Sequence, residues 1–313
     1  MKIFKIVIFV TIVIILTAIY FGAVTFNFAN LEVIWQIRIP RIIIAFLVGG
    51  MLGLSGALFQ LVLKNPLADG FTTGVASSSA LGAVVGISLG LPVFITPILS
   101  FLFGLFGLFI VYKIARNSTG LNSETLILGG IIINIISGSI ISFLKFYFDE
   151  SVGSIVFWLM GGFYQFDYNK IIILFIFLAI CFIFFYKNGV KLNILAFDEI
   201  SASNMGINFK FYKNITFIAA AVLTSLAVSF SGIIAFVGLI VPHVVRALFG
   251  SNMKKVVLYS TIFGANLTVL SDTLSRSIIP SGAELPVGIV TSILGGVFFI
   301  YMLMKRREKI WNG

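Results

Sequence analysis

Long apolar runs separated by short polar turns make up almost the whole chain. Ten of them are long enough to cross a bilayer, at residues 5–26, 41–63, 71–90, 93–112, 125–147, 169–186, 213–231, 233–249, 256–275 and 286–304. About 20 apolar residues, wound as a helix, span the hydrocarbon core. Only helices and closed barrels satisfy their backbone groups there, and runs of this length predict helices. The longest polar stretch is 187–214, between the sixth and seventh runs. The pattern therefore predicts an all-α membrane protein of about ten transmembrane helices, with residues 1–313 as a single transmembrane domain. The first run follows MKIFK and is not followed by a small-x-small cleavage site. It reads as an uncleaved first helix rather than a signal peptide.

Charge fixes the expected orientation. With the N-terminus inside, 16 of the 21 lysines and arginines fall on the inner side. Arg38, Arg41, Lys145, Lys170 and Arg276 are left outside. The positive-inside bias then predicts two cytoplasmic termini and an even number of spans. Composition agrees: 59% of residues are hydrophobic and 10% charged, with a mean hydropathy of +1.14. The net charge of +10 is scattered between apolar runs and forms no basic face, so it does not indicate nucleic acid. The single cysteine, Cys181, rules out an intrachain disulfide and reads as a small hydrophobe. With His243 as the only histidine, a zinc or iron site is not expected.

Several local patterns carry chemistry. Gly49 and Gly53, joined by Gly56, form a small-residue stripe that lets helices approach closely. The stripe serves packing alone or marks a helix central to a pathway. Lys64-Asn65-Pro66-Leu67 breaks the second helix, since proline lacks a donor and asparagine favours turns. Arg38, Arg41 and Arg276 oppose the orientation bias. They are read either as anchors to lipid phosphate or as docking points for carboxylates on an external partner. Asp272, four residues before Arg276, offers a local ion pair. Asp198 and Gly206 bracket a short capped helix in the polar connector. Pro242 frees a carbonyl inside its span, to be met by a neighbouring polar side chain, and His243 beside it reads as structural. Ser281 and Glu284 have the spacing of a capping box at the entry to the last helix. Ser55-Gly56…Pro66 is echoed by Ser231-Gly232…Pro242 at the same spacing, a short match that either chance or an inverted repeat explains. The chain has no Gly-Lys dipeptide and hence no P-loop. No pair of acids sits deep in one span, as an ion-coupled secondary carrier, the alternative function, would often need.

Taken in order, RIPR at 38–41, SGALFQ at 55–60, NPLA at 65–68, WLMGGF at 158–163, LAFDEISASNMGI at 195–207, SGIIAFVGLIVPHVVR at 231–246, FGANLTVLSD at 263–272 and ELPVG at 284–288 resemble one family closely. It is the family of permease subunits of ATP-binding-cassette importers for iron–siderophores, haem and cobalamin (FecCD-type permeases). The resemblance implies no catalytic residue and no cofactor or metal held by this chain, with ATP and magnesium on a partner ATPase. It implies a second permease subunit, identical or paralogous, two ATPase subunits, an extracytoplasmic substrate-binding protein and surrounding lipid. The site is then the bacterial or archaeal cytoplasmic membrane. Arg38, Arg41 and Arg276 match the positions that dock the binding protein. Asp198, Glu199, Ile200, Ser201, Ala202, Ser203, Asn204, Met205 and Gly206 match the helix that couples to the ATPase. Asn117, Ser118, Thr119, Asn122 and Ser123 match the cytoplasmic gate. Helices 5 and 10 line the pathway in relatives. Asp69-Gly70-Phe71 departs from the family's pattern after NPLA, and Gly70 is expected only to loosen that turn.

Overall fold

The computed structural model describes residues 2–21, 32, 34–117, 120–164, 168–196, 205–279 and 283–311. Among them are twelve α-helices. They are α1 (Lys2–Tyr20), α2 (Ile39–Val62), α3 (Val75–Ser88), α4 (Ile95–Ala115), α5 (Ser123–Tyr147) and α6 (Val152–Leu159). They continue as α7 (Tyr168–Lys187), α8 (Gly189–Leu195), α9 (Phe209–Ser231), α10 (Val237–Phe249), α11 (Met253–Ser277) and α12 (Val287–Trp311). A two-stranded antiparallel hairpin, β1 (Arg116–Asn117) with β2 (Gly120–Leu121), joins α4 to α5. Each of the ten apolar runs corresponds to one helix, and α6 and α8 are the short additions. The protein is an all-α membrane protein.

Two expected spans are shorter in the structure. Residues 71–90 give only Val75–Ser88, and 233–249 give only Val237–Phe249. The lost first turns, 71–74 and 233–236, are irregular backbone that is buried or partly buried in the protein, the one setting in which such backbone is tolerated at membrane depth. In the loop before α3, the Asn65 carboxamide oxygen accepts from Leu67 N–H at 2.9 Å. Asp69 Oδ1 accepts from Phe71 N–H at 3.0 Å and Thr72 N–H at 2.9 Å. Gly70 does not merely loosen this turn. A Cβ there would run into the methyl of Thr224 on α9, so the residue permits a close approach.

α2 is the axis of the bundle, with 89% of its span window buried; the windows of α1 and α7 are 17% buried and lie on its outside. Pro40 explains its entry. The proline ring clashes with the carbonyl four residues earlier, and the backbone there widens into a π turn, Ile34–Arg38. The small-residue stripe packs as predicted. A side chain at Gly49 or Gly53 would strike the α11 backbone at Gly264 or Ser260, and one at Gly56 would strike Gly238 on α10. The sequence echo is not a structural one. Gly56 lies within α2, whereas Gly232 has φ +67° and ends α9.

Candidate functional site: a buried charge cluster at one end and a polar rim at the other

One end of the bundle gathers the last turn of α1, the first of α2, the last of α11 and the segment before α12. All three outward-assigned arginines converge there, but none lies open. Arg38, Arg41 and Arg276 are each 3–6% exposed, so the expectation that they stand on the outer surface is corrected. Their partners give the reason. The final carbonyls of a helix have no intrahelical donor. Arg38 Nη1 donates to the carbonyls of Ile19 at 2.7 Å and Tyr20 at 3.3 Å. Arg276 donates through Nη2 to Ala18 and through Nη1 to Phe21, both at 3.4 Å. Two arginines from other helices thus cap α1, where cations also favour the helix dipole.

Arg41 supplies the other half of the cluster. Its Nε donates to Asp272 Oδ1 at 2.9 Å, and its Nη2 lies 2.8 Å from the same oxygen. Its Nη1 donates to Glu284 at 2.7 Å. Asp272 also pairs with Arg276, Nε to Oδ2 at 3.0 Å. The local pair expected between Asp272 and Arg276 is present, and Asp272 bridges two arginines from different helices. Glu284 lies before α12 rather than in its first turn, so it forms no capping box; it reaches Arg41 instead. Ser281 lies outside the described residues. Three arginines against two carboxylates leave this cluster net positive, with Glu284 its most exposed member at 26% of its side chain.

The opposite end carries the remaining predicted residues. Asp198, Glu199, Ile200, Ser201, Ala202, Ser203 and Asn204 lie outside the described residues, as do Ser118 and Thr119. Met205 and Gly206 form an exposed turn, and Gly206 has the positive φ, +71°, expected of a cap. Asn117 lies in β1. Asn122 caps α5, its side chain accepting from Glu124 and Thr125 N–H at 2.9 and 3.1 Å. Ser123 Oγ donates to Val62 O at 3.1 Å, which ties α5 to the end of α2. Sequence reasoning missed α8, hidden in the polar connector. Asn193 on α8 accepts from Met253 N–H at 2.7 Å, and Lys191 Nζ lies 2.8 Å from the Tyr212 hydroxyl, so α8 is bonded to both α11 and α9.

Between the two ends, Pro242 frees a carbonyl as expected. Gln60 Nε2 on α2 donates to Gly238 O at 3.4 Å and Leu239 O at 3.2 Å. His243 sits edge-on to Phe298, ring centroids 6.2 Å apart. Among the described residues no group of three or more histidines, cysteines or acids could hold a metal.

A family described as the FecCD transport family matches residues 4–305. An ABC transporter permease protein of Bacillus subtilis is 38% identical over 283 residues, covering 88% of this chain and 80% of that protein. An iron chelatin transport system permease protein of Helicobacter pylori is 34% identical, covering 88% and 83%. A hemin transport system permease protein of Yersinia pestis is 30% identical, covering 92% and 91%. Among solved structures, a metal-chelate type ABC transporter in an inward-facing conformation aligns with a TM-score of 0.87 at 30% identity, covering 96% of this chain and 99% of that one.

Proposed function

We propose that this chain, which belongs to the FecCD transport family, carries a metal chelate into the cytoplasm on ATP hydrolysed by a separate subunit. The cargo class is an iron–siderophore, haem or a cobalamin-like chelate. The observation that carries this reading is the family match from residue 4 to 305 on a ten-span bundle. Relatives and the solved neighbour are named for iron chelate, hemin and metal-chelate transport.

The working assembly is two permeases, two ATPases and an external binding protein in a bacterial or archaeal cytoplasmic membrane, with both termini of this chain inside. The apolar faces of α5 and α12, including Ile132, Ile135, Val297 and Ile300, are exposed in the single chain and suit a second permease and a shared pathway. The binding protein docks at the arginine cluster. A partner carboxylate reaches Arg41 there by displacing Glu284, the exposed member of the cluster. The connector through Met205 and Gly206 meets the ATPase. An ion-coupled carrier is disfavoured because Asp272 is committed to two arginines and Asp69 to its own turn.

Reconstitution in liposomes tests the reading. With the ATPase and binding protein present, uptake of the chelate should require ATP. Concentrative uptake by this chain alone on a proton or sodium gradient would refute it. Ligand screening of the binding protein against siderophores, haem and cobalamin assigns the cargo.

A further inference from the structure

The segment that carries α9 into α10 holds two left-handed residues, Gly232 at φ +67° and Phe236 at φ +69°. Glycine reaches that region freely. For a bulky side chain it is an outlier. At Phe236 the backbone is tighter still. Val237 N–H donates to Ala235 O at 2.9 Å, which closes a three-residue turn around φ +69°, ψ −22°. Turns of this kind with positive φ are rare and strained. The left-handed region disfavours a residue with a side chain by a factor of about 5–30 in an equilibrium constant. The phenyl ring offers α10 no capping bond in return.

The ring bridges to α12 instead. Gly295 leaves a notch in α12 and the Phe236 ring fills it: a Cβ on Gly295 would strike the Cβ and Cγ of Phe236. One turn along α12, Phe299 lies against the same ring, with centroids 6.1 Å apart and planes at 44°. This contact is the middle one of three along a seam between α12 and residues 233–243. Toward the start of α12, Gly288 lies against the carbonyls of Met160 and Ile233. Further along it, Phe298 meets His243 edge-on, centroids 6.2 Å apart. Of these seam residues Phe236 alone is held at positive φ. Strain of this kind persists only where the surroundings over-determine it, and here the surroundings that seat the ring are on α12. Withdrawal of α12 removes the ring's partners, and Phe236 can then return to the ordinary φ region by rotation within one residue. The ring contact thus opposes the parting of α12 from α10 while the backbone strain favours it, which brings the two arrangements closer in free energy. We infer that Phe236 is a strained latch between α10 and α12, and that Gly232–Phe236 is the hinge at which α12 is released and recaptured in each transport cycle. The cycle rests on the permease reading; the latch rests on the seam itself.

Two measurements test it. Phe236→Gly and Phe236→Ala both remove the ring, and only glycine relieves the strain. Phe236→Gly should therefore have the higher folded-to-unfolded ratio, by a factor of about 3–10 once glycine's extra freedom in the unfolded chain is set against the relief. Equal stability would show that the turn is unstrained and overturns the inference. For the latch, 4-fluorophenylalanine at position 236 reports the ring's surroundings by fluorine NMR of the complex with its ATPase in lipid nanodiscs. Addition of ATP should move intensity from a seated to a released resonance. Gly295→Ala, which fills the notch, should show the released resonance without ATP and lower ATP-driven uptake by about 5-fold or more, with ATP hydrolysis continuing. A single resonance unchanged by ATP and by Gly295→Ala, at wild-type uptake, overturns the latch and leaves the permease reading standing. A wild-type complex that takes up no chelate removes the permease reading instead, and the stability comparison and the Gly295→Ala spectrum then decide the latch by themselves.

Discussion

Removing the Asp272 carboxylate should be among the most damaging single changes in the protein. Its side chain is 1% exposed and holds two guanidiniums that are themselves 6% and 3% exposed. Asp272→Ala leaves both without their shared counter-ion. Breaking one buried pair by deleting a partner costs about 3–5 kcal/mol, most of it the uncompensated charge that remains. Two arginines are affected, but the cost does not double. Arg41 keeps Glu284, and Arg276 keeps the carbonyls of Ala18 and Phe21. The expected loss is therefore about 3–5 kcal/mol, a factor of more than about 100 in the folded-to-unfolded ratio. Asp272→Asn retains an acceptor for Arg41 and should cost less.

A double-mutant cycle isolates the charge term. Arg276→Met removes one of the stranded cations, so Asp272→Ala with Arg276→Met should be less destabilised than the sum of the single changes, with a coupling of about 0.5–3 kcal/mol. Unfolding free energies measured in bicelles by steric trapping provide the readout. A loss below about 1 kcal/mol for Asp272→Ala, the value of an exposed pair, together with additive single changes, would show that the cluster is solvated and that the burial argument is wrong.

Three further outcomes follow from the same geometry. Gly53→Val should destabilise by about 1–3 kcal/mol or more, because the obstacle is backbone at Ser260 and Gly264 and cannot rotate away; expression with normal thermal stability would contradict it. At Asp69, burial pushes the carboxyl above the usual range against three opposing hydrogen bonds. Its neutral form is thus favoured by folding. The contribution is full below the unfolded carboxyl value and is lost as pH rises through the folded one. Asp69→Asn keeps the turn's acceptor and should remove that pH dependence without loss of stability, whereas Asp69→Ala should cost about 1–3 kcal/mol; thermal unfolding between pH 4 and 8 separates the two. Glu284→Gln removes the carboxylate that competes for Arg41 and should tighten binding-protein docking; weaker docking by surface plasmon resonance would show that Glu284 helps the partner rather than opposing it.

The ten spans were legible because the bilayer dictates their length and the runs are barely interrupted. The close packing of Gly49, Gly53 and Gly56 was legible too, since the i, i+4 spacing of Gly49 and Gly53 puts small residues on one helix face. The shortened ends of α3 and α10 were not. Residues 233–236 are as apolar as the helix they precede, and 71–74, Phe-Thr-Thr-Gly, hold no charge or proline to mark a break; only contacts from other helices, such as Thr224 against Gly70, show why the backbone departs there. α8 escaped because a seven-residue amphipathic segment in a lysine-rich connector has no periodicity strong enough to mark it.

The three arginines assigned to the outer side show the deeper limit. Their sign against the orientation bias was visible, and it correctly demanded a partner. The partners lie far away in the chain: Asp272 is 231 residues from Arg41, and Ala18 is 258 residues from Arg276. Position on the outer side was then equated with exposure, which does not follow. A charge at the end of a helix bundle faces solvent only if no neighbouring helix needs it, and here α1 ends with open carbonyls beside two of them. The same reasoning applies with opposite result at Arg246. There the bias was obeyed and no partner was sought, yet the guanidinium has none among the described residues. Orientation rules report which side of the membrane a charge occupies. Whether it is internally satisfied is a separate question, decided by which neighbouring helices end beside it.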